Sequence, residues 1–180
     1  YTDDGFAMPE LVVTAVTGKS YVQFVQDEIL APLGMNHSGY TLTVFPVGSY
    51  APGYKGDAKQ PLECLNCYGG GGLYSTPSDM ARLAIMLMNG GELDGRRVLS
   101  AAAVAEMARD QTASLPFNPV PTYTFGLGWD GVTEWGLDAV GVTAWHKNGG
   151  TVFYGSELFI APAERLAVFV NGLGSYNPVR

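Results

Sequence analysis

The sequence is poor in the residues that announce a metal centre or a nucleic-acid surface. Its 180 residues hold two cysteines and two histidines. Cys64 and Cys67 form a lone C-x-x-C that fits a redox pair, half of a zinc site, a local disulfide or two ordinary thiols. A zinc site needs two more ligands, and His37 and His146 are the only histidines, so ordinary thiols are the favoured reading. His37 itself has no partner at ligand or relay spacing and reads as a loop residue. Lysine and arginine together number 10 against 17 acidic residues, a formal charge of -7. Spread along the chain, they make no basic stripe to neutralise phosphates, which argues against a nucleic-acid partner. No apolar run approaches the roughly 18 residues of a spanning helix, and the first residues lack the basic and apolar segments of a signal peptide. Tyr1-Thr2-Asp3-Asp4-Gly5 also lacks an initiator methionine, and the chain is expected to be a fragment or a processed product.

What the sequence does have is apolar content. Hydrophobic residues make up 47% of the chain, enough for one globular domain with a real core. Pro9 is placed to open a helix with Leu11, Val12, Ala15 and Val16 facing inward and Gly18 as its stop. Ser20 and Gln23 make a capping pattern for a second helix to about Leu30, closed by Pro32 and Gly34. From Asn36 to Gly72 glycine, proline, tyrosine and asparagine dominate, which predicts a long irregular excursion. Its aromatic residues, Tyr40, Phe45, Tyr50 and Tyr54, are either core or an acyl-binding wall, with a slight lean to the wall.

Thr76-Pro77-Ser78-Asp79 is a strong helix start, and Met80, Leu83, Ala84, Leu87 and Met88 follow at helical spacing before Asn89-Gly90-Gly91. Ser100 caps a further helix through Met107. Tyr123 to Trp129 alternates toward a strand. Thr143–His146, Ser156–Ile160 and Leu166–Asn171 read as three more strands, the last two as an antiparallel hairpin. Helices first and a small antiparallel sheet last imply an α+β arrangement with helices on one side of the sheet.

Two segments imitate phosphate loops. Thr17-Gly18-Lys19-Ser20 has Val13 where the loop requires glycine, and Gly69–Gly72 is not followed by the lysine. Trp145-His146-Lys147-Asn148-Gly149-Gly150 is richer. It sets two cationic side chains at the end of a strand, beside a tight turn with exposed amides. Such a group can hold a substrate carboxylate, tune a base or face a developing oxyanion. Taken alone, a solvated lysine beside a hairpin is the stronger reading.

The balance changes when the segments are read in order: Tyr1-Thr2-Asp3 with Gly5-Phe6, Val16-Thr17-Gly18-Lys19, Leu33-Gly34-Met35, Gly71-Gly72-Leu73-Tyr74-Ser75-Thr76 before Asp79-Met80-Ala81, Phe125–Trp129, and Lys147–Thr151. This order resembles class C β-lactamases, D,D-carboxypeptidases and related esterases over almost the whole chain. The resemblance implies a β-lactamase/transpeptidase-like fold, incomplete in this chain. Residues 1–122 would form its mainly helical and irregular region, and 123–180 the C-terminal strands and helix of its α/β region. It also implies no metal or organic cofactor, and a periplasmic or secreted setting.

That family brings together Ser-x-x-Lys, Tyr-Ser/Ala-Asn and Lys-Thr-Gly or His-x-Gly. Tyr1 matches the tyrosine, which with the motif lysine moves the proton from the serine nucleophile and later to the leaving group. Lys147 and Gly149 match the third motif, and Gly150 would then supply an oxyanion-hole amide. The departures are informative. No Ser-x-x-Lys occurs in the 180 residues. The nucleophile is therefore expected from an N-terminal part of the same protein, as a preceding segment or a second chain. Asp3 stands where β-lactamases usually have an asparagine that donates to the substrate amide, and an ionised aspartate cannot donate. This leans toward small ester, amide or peptide substrates. Asn148 replaces the usual threonine, and His146 directly precedes Lys147. Either cation could face the cleft, and the distance to Ile160-Ala161-Pro162 favours Lys147. The expected activity is acyl transfer to water through an acyl-serine, of esterase or D-aminoacyl amidase type. The alternatives are a β-lactamase or D,D-carboxypeptidase, or a silent relative that binds peptides or lipids.

Overall fold

The computed structural model describes residues 3–40, 45, 46, 48–115 and 124–173; the side chains of Asp3, Asp4, Ser114 and Trp135 lie outside the description. The chain forms two compact units. One comprises residues 1–80, 150–155 and 172–180, the other 81–149 and 156–171.

In the first unit, α1 (Asp3–Thr17) starts a turn and a half earlier than Pro9 suggests and carries that proline inside it. Pro9 cannot donate to the Gly5 carbonyl, and the helix continues through the proline with that ladder bond missing. Ser20 caps α2 (Tyr21–Val25) by accepting from the Gln23 amide, as its spacing predicts. Pro32 does not stop this segment. A π-turn spans Gln26–Leu30, and α3 (Ala31–Leu33) continues beyond it. The Ala31 amide reaches back to the Gln26 carbonyl, five residues away. Widening the ladder by one residue carries the chain past a proline that has no amide for the Glu28 carbonyl. Gly34 then ends it in the left-handed region, and the Met35 amide closes on Leu30. Leu30, Leu33 and Met35 form the buried centre here.

The excursion holds little regular structure. β1 (Gly39–Tyr40) pairs antiparallel with β4 (Leu73–Tyr74), and β2 (Tyr54–Lys55) with β3 (Ala58–Lys59). Tyr40 is core, packed edge-on against Tyr21 and Tyr68, and burial pushes its phenol pKa up. Tyr54 is exposed, while Phe45 lies against Tyr74. The Gly69–Gly72 run serves close packing. A Cβ on Gly69 would lie 2.3 Å from the Phe6 carbonyl oxygen of α1, and the Gly69 amide donates to Glu10 at 2.6 Å.

Thr76 caps α4 (Pro77–Met88), which begins in the first unit and continues into the second. Asp79 in its first turn is 3% exposed and accepts from the His37 amide at 2.8 Å and the Ser38 hydroxyl at 2.7 Å. Ser38 also bonds Ser75, so the start of α4 pins the beginning of the excursion. The His37 ring itself is largely exposed.

In the second unit, β5 (Glu92–Leu93) and β6 (Arg96–Arg97) form a hairpin across Asp94 and Gly95, both at positive φ. An Asp-Gly turn of this kind matches the twist of its strands. Ser100 caps α5 (Ala101–Met107), and α6 (Trp135–Asp138) is a single turn. The strand expected over Tyr123–Trp129 does not form in its described part. Residues 124–129 make a turn held by an isolated Gly126–Trp129 bridge, and Tyr123 lies outside the described residues. The glycines decide this: Gly126 sits 2.3 Å, by its would-be Cβ, from the Met107 carbonyl, and Gly128 takes a φ of 81°.

β7 (Trp145–Gly150), β8 (Tyr154–Ala161) and β9 (Leu166–Leu173) form a sheet in that order. Connections of three and four residues make it an antiparallel meander. The first strand begins two residues later than Thr143 and runs through both glycines. The tight turn expected at Gly149-Gly150 falls instead at 151–153, where the Thr151 hydroxyl accepts from the Tyr154 amide at 3.1 Å. Met86, Leu87, Val104, Trp129, Val132, Leu158 and Ile160 make this unit's core. Among the described residues no helix is long and apolar enough to cross a membrane.

Two glycine substitutions separate packing from backbone strain. Gly69→Ala must push α1 off a backbone oxygen and should cost about 1–3 kcal/mol. Gly56→Ala, at a φ of 60° with open space around it, carries only the left-handed strain of about 1–2 kcal/mol. Denaturant unfolding should show the first destabilising through lost packing and the second rescued by Asn, which tolerates that conformation.

Candidate active site

The site is built where β7 meets the turn after Trp129. Gly131 and His146 exchange backbone hydrogen bonds at 2.8 and 3.2 Å, and the Asp130 amide donates to the His146 carbonyl at 2.9 Å. These bonds lay residues 130–131 alongside the strand. The Asp130 carboxylate is thereby delivered to the next residues of β7. Its Oδ2 accepts from Lys147 Nζ at 2.8 Å and from the Asn148 amide at 3.0 Å. Lys147 also donates to the Asn148 carbonyl at 2.7 Å. Its side chain is three-quarters buried, at 25% exposure, and that of Asp130 is 19% exposed. An ammonium so held is a fixed positive charge in a partly water-excluded place, where electrostatic interactions are stronger than in bulk water.

His146 points to the other face of β7, as alternation along a strand requires. Its Nε2 lies 2.6 Å from Glu157 and its Nδ1 3.2 Å from Glu134. The ring stacks on Phe159, 4.3 Å between centroids and 14° between planes. Both ring nitrogens are thus engaged by carboxylates within the second unit. Asn148 is exposed, and its amide is committed to Asp130. Gly149 faces Ser156, whose Oγ would stand 2.6 Å from a Cβ there, so a side chain at 149 would require the Ser156 hydroxyl to turn away. Gly150 ends the strand. The structure therefore joins Lys147, Asn148 and Asp130, and sets His146 apart with its two glutamates. Tyr1 lies outside the described residues, as does the side chain of Asp3, whose backbone opens α1.

Asp130, Glu134 and Glu157 were not singled out from the sequence. Asp130 had a usable signal, since it directly follows the Phe125–Trp129 landmark. Glu134 and Glu157 have none short of knowing the register of β7 and β8.

The family model described as Beta-lactamase matches residues 1–178. This chain belongs to the beta-lactamase family. The chain is 31% identical over 153 residues to penicillin-binding protein 4 of Amycolatopsis lactamdurans, covering 77% of this chain and 40% of that protein. It is 29% identical over 175 residues to a human beta-lactamase-like 1 protein, covering 93% of this chain and 32% of the relative. A class C beta-lactamase from Rhodobacter sphaeroides superposes with a TM-score of 0.73 at 20% identity, over 99% of this chain and 56% of that one. A class C beta-lactamase variant superposes at 0.78 and 19% identity, over 99% and 54%. The chain thus spans a third to two-fifths of these curated relatives and about half of these solved structures. The fold is of β-lactamase/transpeptidase type, with helices and small antiparallel sheets, and this family is one of serine hydrolases.

The Asp130 contacts can be tested apart from catalysis. Asp130→Ala leaves a three-quarters-buried ammonium and the Asn148 amide without their carboxylate, and should destabilise by about 1–3 kcal/mol. Asp130→Asn retains an acceptor for the amide and should cost less. Urea unfolding of both variants checks the order; equal costs would mean that the acceptor for the Asn148 amide adds nothing and that the loss of the carboxylate beside Lys147 carries the whole effect.

Proposed function

We propose that this chain is the C-terminal part of a serine hydrolase acting through an acyl-serine on small ester or amide substrates. The observation that carries the reading is the Lys147 ammonium held by Asp130 at the strand that leads into Gly149 and Gly150, on a beta-lactamase fold. A cation and backbone amides in succession supply what a tetrahedral intermediate needs, attraction for the substrate's polar end and donors for its oxyanion. The serine and its lysine come from an N-terminal part of the protein, on this chain's N-terminal side or as a second chain. Tyr1 shares with that lysine the transfer of the serine proton to the leaving group. Ester or amide substrates are preferred over β-lactams because Asp3, when ionised, offers no donor to the acylamide.

The partner segment has support in the exposed apolar side chains. Met8, Leu11, Val12 and Val16 on α1 are exposed. So are Leu166, Val168 and Val170 along one face of β9. Apolar rows of this length on a soluble protein mark surfaces that another element covers.

The 180-residue chain by itself should neither hydrolyse p-nitrophenyl esters nor label with penicillin, because it has no Ser-x-x-Lys. Robust turnover by the purified chain would sink the reading. In the complete protein, Tyr1→Phe keeps the ring and removes the hydroxyl. It should leave the unfolding midpoint nearly unchanged and lower kcat by about 10²- to 10⁴-fold. Lys147→Ala should lower kcat and raise KM, with His146→Ala milder. Near-normal activity of Tyr1→Phe with loss in His146→Ala would move the site to His146. If a serine-reactive phosphonate leaves the complete protein unlabelled, it is a silent binding relative.

A further inference from the structure

We propose that Glu63 is a positioning residue for the oxyanion hole, acting through the turn that follows Gly150. This rests on the reading above, in which the Gly150 amide faces the oxyanion. Two consecutive glycines have no side chains with which to fix their own peptide planes, and their backbone is the most permissive of any residue. The pairing of β7 with β8 holds this stretch from within the sheet up to Gly150, where the strand ends, and the aim of the Gly150 amide then depends also on what holds the chain beyond it. On the far side that holder is Glu63, from the irregular excursion.

The Glu63 carboxylate takes two consecutive donors of the turn. One oxygen accepts the Thr151 hydroxyl and the other the Val152 amide at 3.1 Å. Donation to Glu63 orients the Thr151 hydroxyl, whose lone pairs accept from the Phe153 amide at 3.4 Å and the Tyr154 amide at 3.1 Å. The Thr151 amide donates to the Tyr154 carbonyl at 2.8 Å and closes the turn. One carboxylate, 88 residues away in sequence from Thr151, thus organises every amide from Val152 to Tyr154. Bonds to an ionised acceptor are about twice as strong as neutral ones, which suits the carboxylate to hold a turn that has no core of its own.

Glu63 is itself held. Its carbonyl accepts from the Tyr74 hydroxyl at 3.2 Å, and Tyr74 meets Tyr154 edge-on at 5.5 Å. Burial first, then the neighbouring Tyr154 and Glu63, push the Tyr74 phenol up, so it stays a donor through the working pH range. Tyr154 in turn donates to the Ala51 carbonyl at 2.9 Å, and Gly53 lies under Phe153, with its would-be Cβ 2.6 Å from the Phe153 Cβ. The turn is enclosed by residues 51–63 on one side and by Tyr74 on the other. In this role the arrangement acts on the reaction through the Gly150 amide.

The test uses the complete protein carrying Ser-x-x-Lys, with a neutral p-nitrophenyl ester and a boronate transition-state analogue. Glu63→Ala should lower kcat by about 10- to 100-fold with KM within about twofold, because the amide meets charge that develops only in the transition state. Boronate affinity should fall in parallel with kcat/KM. Thr151→Val should behave like Glu63→Ala, and Thr151→Ser, which keeps the hydroxyl, should retain more activity than Thr151→Val. The double variant should be little worse than either single one, as expected of residues in one network. Should alanine prevent folding, Glu63→Gln, which keeps an acceptor for the Val152 amide, should lie between wild type and Thr151→Val. An active wild type with Glu63→Ala at near-normal kcat, with its loss in KM alone, or with losses that add to those of Thr151→Val overturns the role of Glu63 and leaves the hydrolase reading standing. A complete wild-type protein that neither turns over the ester nor labels with a phosphonate overturns both.

Discussion

The Asp130 carboxylate is the constraint on which the site depends. It binds a charged side chain and a backbone amide of two successive residues at once, Lys147 Nζ and the Asn148 N–H. The amide contact fixes where the strand lies, and the ammonium contact fixes where the charge lies relative to it. A lysine on a solvated strand end would sample many rotamers and lose roughly 2 kcal/mol of side-chain entropy on being ordered. Here that ordering is built into the fold before any substrate arrives. The Gly131–His146 bridge supplies the backbone half of the same junction, so the turn after Trp129 and the strand are placed by one set of bonds.

Division of labour between neighbouring cations follows from strand alternation. Two basic side chains in succession cannot share a face. Lys147 goes with Asp130. His146 is taken by Glu134, Glu157 and the face of Phe159, contacts that bind β7 to β8 and to the start of α6. Exchanging the two residues would leave the imidazole against Asp130 and the ammonium against an aromatic ring. The order His-Lys is therefore part of the geometry.

What could be read from sequence was local. Thr76-Pro77, Ser20 and Ser100 each announce a helix start because a cap acts over three residues, and the structure places helices at all three. Proline was the misleading signal: Pro9 and Pro32 read as a start and a stop, yet α1 runs through the first and a π-turn beside the buried Leu30 and Leu33 carries the chain past the second. Gly126 and Gly128 within Tyr123–Trp129 carried the opposite lesson, since the close approach of Gly126 to Met107 and the positive φ of Gly128 outweigh the alternating pattern around them. In the site, Lys147, Asn148, Gly149 and Gly150 were legible because they form one contiguous motif. Asp130 and Glu63 were not, because their partners stand 17 and 88 residues away and nothing in composition encodes such a distance. The family landmarks bridged part of that gap by their order.

The tilted pair of indoles beside this junction has an optical consequence. Trp129 and Trp145 lie 5.6 Å apart at 46°, each one residue from a partner in the Gly131–His146 region, Asp130 on one side and His146 on the other. Two identical chromophores at that separation and a non-zero angle couple their excited states, and the sign and size of the resulting circular-dichroism couplet depend on their mutual orientation. Trp129 is buried, and among the described residues its indole N–H has no acceptor, so no competing hydrogen bond holds the ring. The junction that aims the lysine therefore carries its own chiral reporter, legible in solution without a substrate, a label or a crystal.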